Sequence, residues 1–149
     1  MTSPETAVLR KDVGTWDAEI TVLSGPGAPS VSRGVLHNKL VAGDRWLVSE
    51  YHNESTGFGG HGLYGWDPIQ GCYVGTWVDN QTRTLRIMRG QWDAATDTMT
   101  YEVEIDGPQP MTNRQITRTL DEVTSEFRSS IVLPDGEERV VMTALYRKR

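Results

Sequence analysis

Two histidines in the segment HNESTGFGGH offer the widest range of chemistry that this chain carries in one short stretch. If the segment folds as a hairpin that turns near its middle, His52 and His61 face each other with Cβ atoms about 5 Å apart. Together with Glu50 or Glu54 they could begin a metal site, although catalytic zinc usually has three protein ligands. We predict exposed imidazoles and no metal site, and we leave a general acid or base role for one of them open.

A second candidate for chemistry is a charged group on an apolar strand face. In the segment CYVGTWVDN, Asp79 shares a face with Trp77, and a buried carboxylate needs a partner. Arg114 or Arg118 could supply it, because both alternate with the apolar Ile116 on a face that this pattern places inward. Two interpretations stay open. Either Asp79 ends its strand in water with the arginines at a rim, or Arg114 binds an acidic or carbonyl group of a ligand.

Motifs of the common enzyme classes are missing from the sequence. It contains no G-x-S-x-G elbow, no glycine-rich phosphate loop followed by Lys and Ser or Thr, and no HExxH. The run GFGGHG leads into an expected strand, so it offers phosphate no helix terminus. The sequence therefore assigns no catalytic residue and leaves open whether the protein is an enzyme.

One helix is predicted, over about residues 4–12. Ser3 or Thr2 can cap it, Pro4 suits its first turn, and Glu5 suits the positive end of the helix dipole. The rest of the chain alternates apolar and polar residues with period two, as in TWDAEITVL. That period is typical of half-buried strands.

About ten strands follow, over about residues 15–148, and short hairpin turns join nearly all of them. Strands joined in this way form an antiparallel meander. Closing the meander into an up-and-down barrel removes its exposed edges. We therefore predict an all-β fold, a single antiparallel barrel domain over residues 1–149 with a short N-terminal helix. The alternative is a two-sheet sandwich, which needs long crossover connections that the sequence lacks.

Strand parity predicts that one face of the barrel wall is aromatic. In CYVGTWVDN, Tyr73 and Trp77 share a face, and Trp66 of the preceding strand is expected opposite Tyr73. Because burial of a large ring stabilises a fold by about 2–3 kcal/mol, we place this face inside. The glycines of GFGGHGLYGWD predict tight curvature or a β-bulge. The predicted interior aromatic residues are Tyr51, Tyr64, Trp66, Tyr73, Trp77, Tyr101 and Phe127.

The hairpin over residues 33–54 gives a consistent assignment of faces. A turn centred on Ala42-Gly43 predicts that His37 stands opposite Val48 on a charged outer face. The alternate face is expected to point inward with a polar patch. Its members are Leu36, Leu40, Leu47, Ser49, Tyr51 and Asn53.

Composition excludes several classes of partner. The net charge of -5 and the scattered basic residues argue against nucleic-acid binding. No stretch approaches the roughly 20 apolar residues of a membrane helix, and the N-terminus lacks the pattern of a secretory signal. Cys72 is the only cysteine, so no internal disulfide can form. We expect a cytoplasmic protein.

The first strand carries a recognisable motif. Gly14-Thr15-Trp16 follows the predicted helix, and this arrangement is similar to the calycin superfamily, whose lipocalin-like barrels begin with Gly-x-Trp after a short helix. The resemblance implies that Trp16 closes one end of the barrel. It also implies that this ring packs against a basic residue of the last strand, here Arg147 or Lys148.

Three longer segments carry a more specific resemblance. SRGVLHNKLVAGDRWLVSEY, GHGLYGWDPIQGCYVGTWVDN and MTNRQITRTLD resemble the bacterial domain-of-unknown-function family fifteen-seventy-nine, over about residues 9–147. The resemblance implies a small lipocalin-like barrel and no settled activity. Some lipocalin-like barrels bind haem iron through a late histidine, but none follows His61, and we predict no cofactor.

These observations favour a barrel that binds a small hydrophobic or aromatic molecule in its interior. The candidate ligand-binding residues are Tyr51, Tyr64, Trp66, Tyr73, Trp77 and Arg114. One alternative is an isomerase, cyclase or hydrolase that uses the same cavity. The other is a filled barrel that acts as a structural homodimer.

Overall fold

A computed structural model describes residues 3–149, and Thr2, the alternative helix cap, lies outside them. The described chain forms one helix followed by ten strands. The elements are α1 (Pro4–Arg10), β1 (Gly14–Val22), β2 (Ser30–Val41), β3 (Trp46–His52), β4 (Gly59–Asp67), β5 (Cys72–Asp79), β6 (Arg86–Asp93), β7 (Thr98–Ile105), β8 (Met111–Asp121), β9 (Thr124–Val132) and β10 (Glu138–Lys148). The prediction of a short helix and about ten strands is confirmed.

The ten strands form a closed antiparallel barrel in sequence order. Closure comes from the pairing of β1 with β10, from Trp16 opposite Lys148 to Val22 opposite Met142. Each remaining strand pairs with its neighbour in the chain, so no long crossover is needed. The predicted up-and-down barrel is therefore confirmed, and the sandwich alternative is wrong.

Helix α1 packs at one end of the barrel. The hydroxyl of Ser3 accepts a hydrogen bond from the Thr6 amide at 3.2 Å, which confirms Ser3 as the cap. Val8 and Leu9 are buried among inward side chains of the barrel. The helix is shorter than the expected 4–12. Within residues 3–149 no helix is long and apolar enough to cross a membrane.

Strand β1 alternates as its sequence predicts. Trp16, Ala18 and Ile20 are all less than a tenth exposed, whereas Asp17 and Glu19 point to solvent. The indole Nε1 of Trp16 donates to the Asp12 carbonyl at 2.9 Å. These contacts fix the inward face of the first strand.

The Gly-x-Trp prediction extends to the last strand. Lys148 Nζ lies 5.4 Å from the centroid of the Trp16 ring, within the range of a cation–π interaction. Arg147, the other candidate, is exposed and stands opposite Asp17 on the outer face. The basic partner of Trp16 is therefore Lys148.

The register of the β2–β3 hairpin differs from the prediction by two residues. His37 stands opposite Glu50 instead of Val48. A shift of two preserves the side of the sheet to which each residue points. The predicted inward face, with Leu47, Ser49, Tyr51 and Asn53 all buried, is therefore correct.

Candidate functional site

The barrel interior contains five of the six residues predicted as a ligand site. The aromatic residues point inward and belong to two buried clusters, one beneath α1 and one towards the opposite end of the barrel. Tyr73 and Trp66 lie in the cluster beneath α1, and Tyr51 lies in the other. Trp77 contacts both clusters, so it spans the middle of the barrel.

Two of these rings serve to hold the helix. Trp66 stands opposite Tyr73, as predicted, and their rings meet edge to face with centroids 5.0 Å apart. The Tyr73 hydroxyl donates to the Glu5 carbonyl of α1 at 2.9 Å. Trp66 and Tyr73 therefore form part of the packed floor on which the helix rests.

Glycines on the inward face receive the remaining rings. A Cβ atom on Gly75 would lie 2.6 Å from Cδ1 of Tyr64, and one on Gly90 would lie 2.5 Å from Cε1 of Tyr101. Trp77 covers Gly60 even more closely. Because glycine has no side chain, each ring can lie back against the barrel wall.

This arrangement corrects the interpretation of the glycine-rich segment. β4 pairs with β3 and β5 without a shift in register, so its glycines produce no bulge. Gly60 and Gly62 have inward parity, which makes room for rings instead. The signal was present in the sequence, since inward-facing glycines next to inward-facing aromatic residues predict such recesses.

Several inward side chains keep accessible surface. Tyr64 and Tyr146 are so deeply placed that burial raises the pKa of both hydroxyls far above the usual 10, yet neither residue is fully buried. Both side chains point inward, and part of their surface is left uncovered by neighbouring residues. Other inward residues share this partial burial, namely Leu36, Trp77, Gln115, Thr117, Phe127 and Met142. A barrel of ten strands can leave space between such side chains.

Tyr101 presents an unsatisfied polar group in the same region. Its hydroxyl is buried and has no hydrogen-bond partner within residues 3–149. Burial, followed by the influence of Tyr64 and Asp12, raises the pKa of this hydroxyl well above its usual value. A buried hydroxyl without a partner destabilises the fold by about 1–3 kcal/mol, so Tyr101 is a costly residue to keep at this position.

Asp12 places a carboxyl group next to α1, at the helix end of the barrel. Burial raises its pKa from 3.8 to about 6, and the positive charge of Lys11 only partly opposes that shift. Asp12 lines a narrow crevice between α1 and the inward residues Met99 and Thr117. This carboxyl can exchange a proton near neutral pH, and sequence reasoning missed it because Asp12 lies at a helix end.

The prediction that Arg114 points inward is wrong. Asn113 is the buried residue of this part of β8, and it donates to the Ser129 hydroxyl at 2.9 Å inside the barrel. Arg114 lies on the outer face, where its guanidinium pairs with Glu102 at 3.3 Å and Glu138 at 3.2 Å. A side chain engaged in this way on the outside cannot anchor a guest within the barrel.

Asp79 has partners, and neither arginine is among them. Its carboxylate accepts from Trp77 Nε1 at 3.0 Å and from the amides of Gln81 and Thr82 in the following turn. Partial burial alone would raise the pKa of Asp79, but these hydrogen bonds outweigh it and lower the pKa. The carboxylate thus ends β5 and orients the Trp77 indole.

The predicted pairing of the two histidines is also wrong. His61 stands opposite Glu50, with Nε2 and Oε2 3.5 Å apart, and His52 stands opposite Gly59. Both imidazoles are exposed, as expected. Across residues 3–149, no three His, Cys, Asp or Glu side chains are grouped to hold a metal ion.

A surface groove of about 850 Å³ lies outside the barrel. It crosses the outer faces of β1, β10, β9, β8 and β7 and includes Glu126 and Arg118, which pair at 3.9 Å. Threonines and charged side chains dominate its lining. The interior, with its aromatic rings and unsatisfied hydroxyl, suits a small-molecule ligand better.

Comparisons with solved structures show where else this fold occurs. The protein Rv2717c from M. tuberculosis superposes with a TM-score of 0.68 at 11% identity, covering 100% of this chain and 99% of that one. The S-type phycobiliprotein lyase CPES from Guillardia theta gives a TM-score of 0.58 at 10% identity, covering 99% and 98%. Identities this low establish a shared barrel fold and nothing finer.

Sequence comparisons identify the family. No curated protein matches the chain. A family model described as "Protein of unknown function (DUF1579)" matches residues 1–148, which agrees with the resemblance of the three quoted segments. This protein therefore belongs to the DUF1579 family of proteins of unknown function.

Proposed function

We propose that this barrel binds a small, mostly aromatic molecule in its interior. The observation that carries the proposal is that Tyr64 and Trp77 lie back on glycines yet stay only partly buried, which we take as unfilled space in front of these two rings. A barrel whose only task was to be filled would gain more stability by closing that space. An apolar guest would supply the missing contacts.

The chemistry of the lining indicates how such a guest is held. Trp77 and Tyr64 offer ring faces for stacking, and Tyr51 lies towards the end opposite α1. The Tyr101 hydroxyl can donate to or accept from one polar atom of the guest. Trp66 and Tyr73 act indirectly, because they hold α1 in place as the floor of the site.

An enzyme that uses the same interior is the second candidate. Asp12 favours it, because a carboxyl with a pKa of about 6 can act as a general base near neutral pH. One structural neighbour of the same fold is a phycobiliprotein lyase. The structural homodimer stays a prediction.

A neutral aromatic dye tests interior binding. N-phenyl-1-naphthylamine gains fluorescence in apolar surroundings, and we expect it to bind the wild-type protein. Thr117→Phe adds bulk on the inward face of β8, whereas Ile116→Phe adds it on the outer face of the same strand. We expect Thr117→Phe to weaken dye binding and Ile116→Phe to leave it unchanged. Absence of dye binding by a folded wild-type protein would overturn the proposal.

A further inference from the structure

Arg86 differs from the other basic residues of the barrel. It stands opposite Trp77 in the β5–β6 ladder and therefore lies on the inward face, at the end opposite α1. It is partly buried. Among residues 3–149 its guanidinium takes part in no ion pair.

The other basic residues with inward parity are already engaged. Lys148 covers the Trp16 ring beneath the helix. Arg139, at the start of β10, pairs with Glu137 at 3.3 Å. Arginine remains protonated in proteins, so Arg86 carries a positive charge for which no carboxylate among residues 3–149 lies within ion-pair distance.

The barrel wall beside Arg86 is incompletely paired. β6 begins at Arg86 and β7 ends at Ile105, but the ladder between them stops where Arg89 stands opposite Glu102. Residues 86–88 and 103–105 therefore lack cross-strand partners at this seam. This unpaired stretch of the wall lies directly beside Arg86.

The surroundings of Arg86 suit a molecule with an apolar body. Leu85 and Ile87, which flank it in the chain, are 58% and 65% exposed. Met88, the next inward residue of β6, is only 1% exposed. A cation thus lies between exposed apolar side chains at the seam and a packed apolar interior.

We propose that Arg86 is the anion-binding residue of this barrel and that its interior ligand is an aromatic molecule carrying a carboxylate or another anionic group. This inference rests on the proposed interior binding. The guanidinium can bind an oxyanion with two parallel hydrogen bonds, while Trp77 opposite it contacts the aromatic body. The net charge of -5 disfavours anions at long range, so affinity for an anion has to come from a local group such as this one.

Two dyes of similar shape separate this inference from the function on which it rests. The probes are 1-anilinonaphthalene-8-sulfonate, which is anionic, and N-phenyl-1-naphthylamine, which is its neutral counterpart. Both are titrated into the wild-type protein, Arg86→Gln and Arg89→Gln. Arg89 is the matched control, because it lies three residues along β6 on the outer face and its loss changes the net charge equally.

We expect Arg86→Gln to weaken binding of the sulfonate dye by about tenfold or more and to leave the neutral dye unchanged. Arg89→Gln should leave both unchanged. If the neutral dye binds the wild-type protein but Arg86→Gln does not weaken the sulfonate dye, the anion site is overturned and interior binding stands. If Arg89→Gln weakens binding of the sulfonate dye as much as Arg86→Gln does, the effect is due to net charge alone, and the anion site at Arg86 is overturned. If neither dye binds the wild-type protein, both proposals fall.

Discussion

The indole of Trp77 lies directly over Gly60 of the neighbouring strand, so that any Cβ atom at position 60 would fall inside the ring's van der Waals envelope. Gly60 is buried and stands opposite Asp79, whose carboxylate accepts from the Trp77 Nε1. One glycine and one carboxylate thus fix the position of the Trp77 indole. The space in front of that ring is where we place the guest.

Gly60→Ala should destabilise the protein, because the added methyl group has to displace the indole. We expect a loss of about 1–3 kcal/mol in the free energy of unfolding, measured by urea denaturation. Gly59→Ala is the control, since a Cβ atom there meets only the Tyr51 carbonyl at an ordinary 3.6 Å. Equal effects of the two substitutions would contradict the recess assigned to Gly60.

Asp12→Asn should change how stability depends on pH. The folded protein raises the pKa of Asp12 to about 6, so its charge is unfavourable above pH 6. That cost disappears as the pH falls from about 6 to 4, because the folded state takes up the proton before the unfolded state does. Removing the carboxyl should stabilise the protein at pH 7 by up to about 3 kcal/mol. The difference between variant and wild type should vanish near pH 4.

Asp17 should show the opposite dependence of stability on pH, because its pKa is lowered and that of Asp12 is raised. Its hydrogen bonds with Arg149 lower its pKa, so its contribution to stability is present at neutral pH and is lost as acid protonates it. Asp17→Asn should therefore be the less stable protein at pH 7. Unfolding curves between pH 4 and pH 7 for both variants check the two signs. Destabilisation at pH 7 by Asp12→Asn would contradict a buried, unpartnered charge.

Lys148→Met should weaken the closure of the barrel at the helix end. The substitution keeps the aliphatic stem but removes the ammonium that lies over Trp16. We expect a loss of about 0.5–2 kcal/mol in the free energy of unfolding. Arg147→Met, on the outer face of the same strand, should have little effect. Thermal unfolding measures the melting temperature of both variants. A decrease of the same size in each would contradict a specific contact between Lys148 and Trp16.

Tyr73→Phe should loosen α1. The hydroxyl of Tyr73 donates to the Glu5 carbonyl, and its loss should destabilise the protein by about 0.5–1.5 kcal/mol. Amide hydrogen exchange should rise in α1 more than in the strands. Protection of the helix that is unchanged from wild type would show that this hydrogen bond does not hold α1.

The fold could be predicted largely because period-two alternation survives errors in register. The β2–β3 hairpin is two residues away from the predicted register, yet Tyr51 still points inward. Tyr73 and Trp77 in β5 point inward as predicted, and there the register was correct as well. The histidine pair could not be predicted in this way, because a direct cross-strand contact depends on the exact register.

The polar part of the site was harder to predict because β8 reverses the usual pattern. Its outer face carries the apolar Ile116 and Leu120, whereas its inner face carries Asn113 and Gln115. Hydrophobicity alone therefore placed Arg114 inside. The sequence indicates that Arg86 points inward, because it alternates with Met88 and Gly90 on the same face of β6. Only the structure shows that Arg86 forms no ion pair within residues 3–149.

Methyl NMR with the neutral dye N-phenyl-1-naphthylamine tests interior binding most directly. Met88 and Met142 point inward, whereas Ile87 and Ile116 lie on the outer face. If the guest lies inside, ring currents should shift the methyl resonances of the two methionines and leave those of the two isoleucines in place. Shifts confined to the isoleucines, or no shifts at saturating dye, would contradict an interior site.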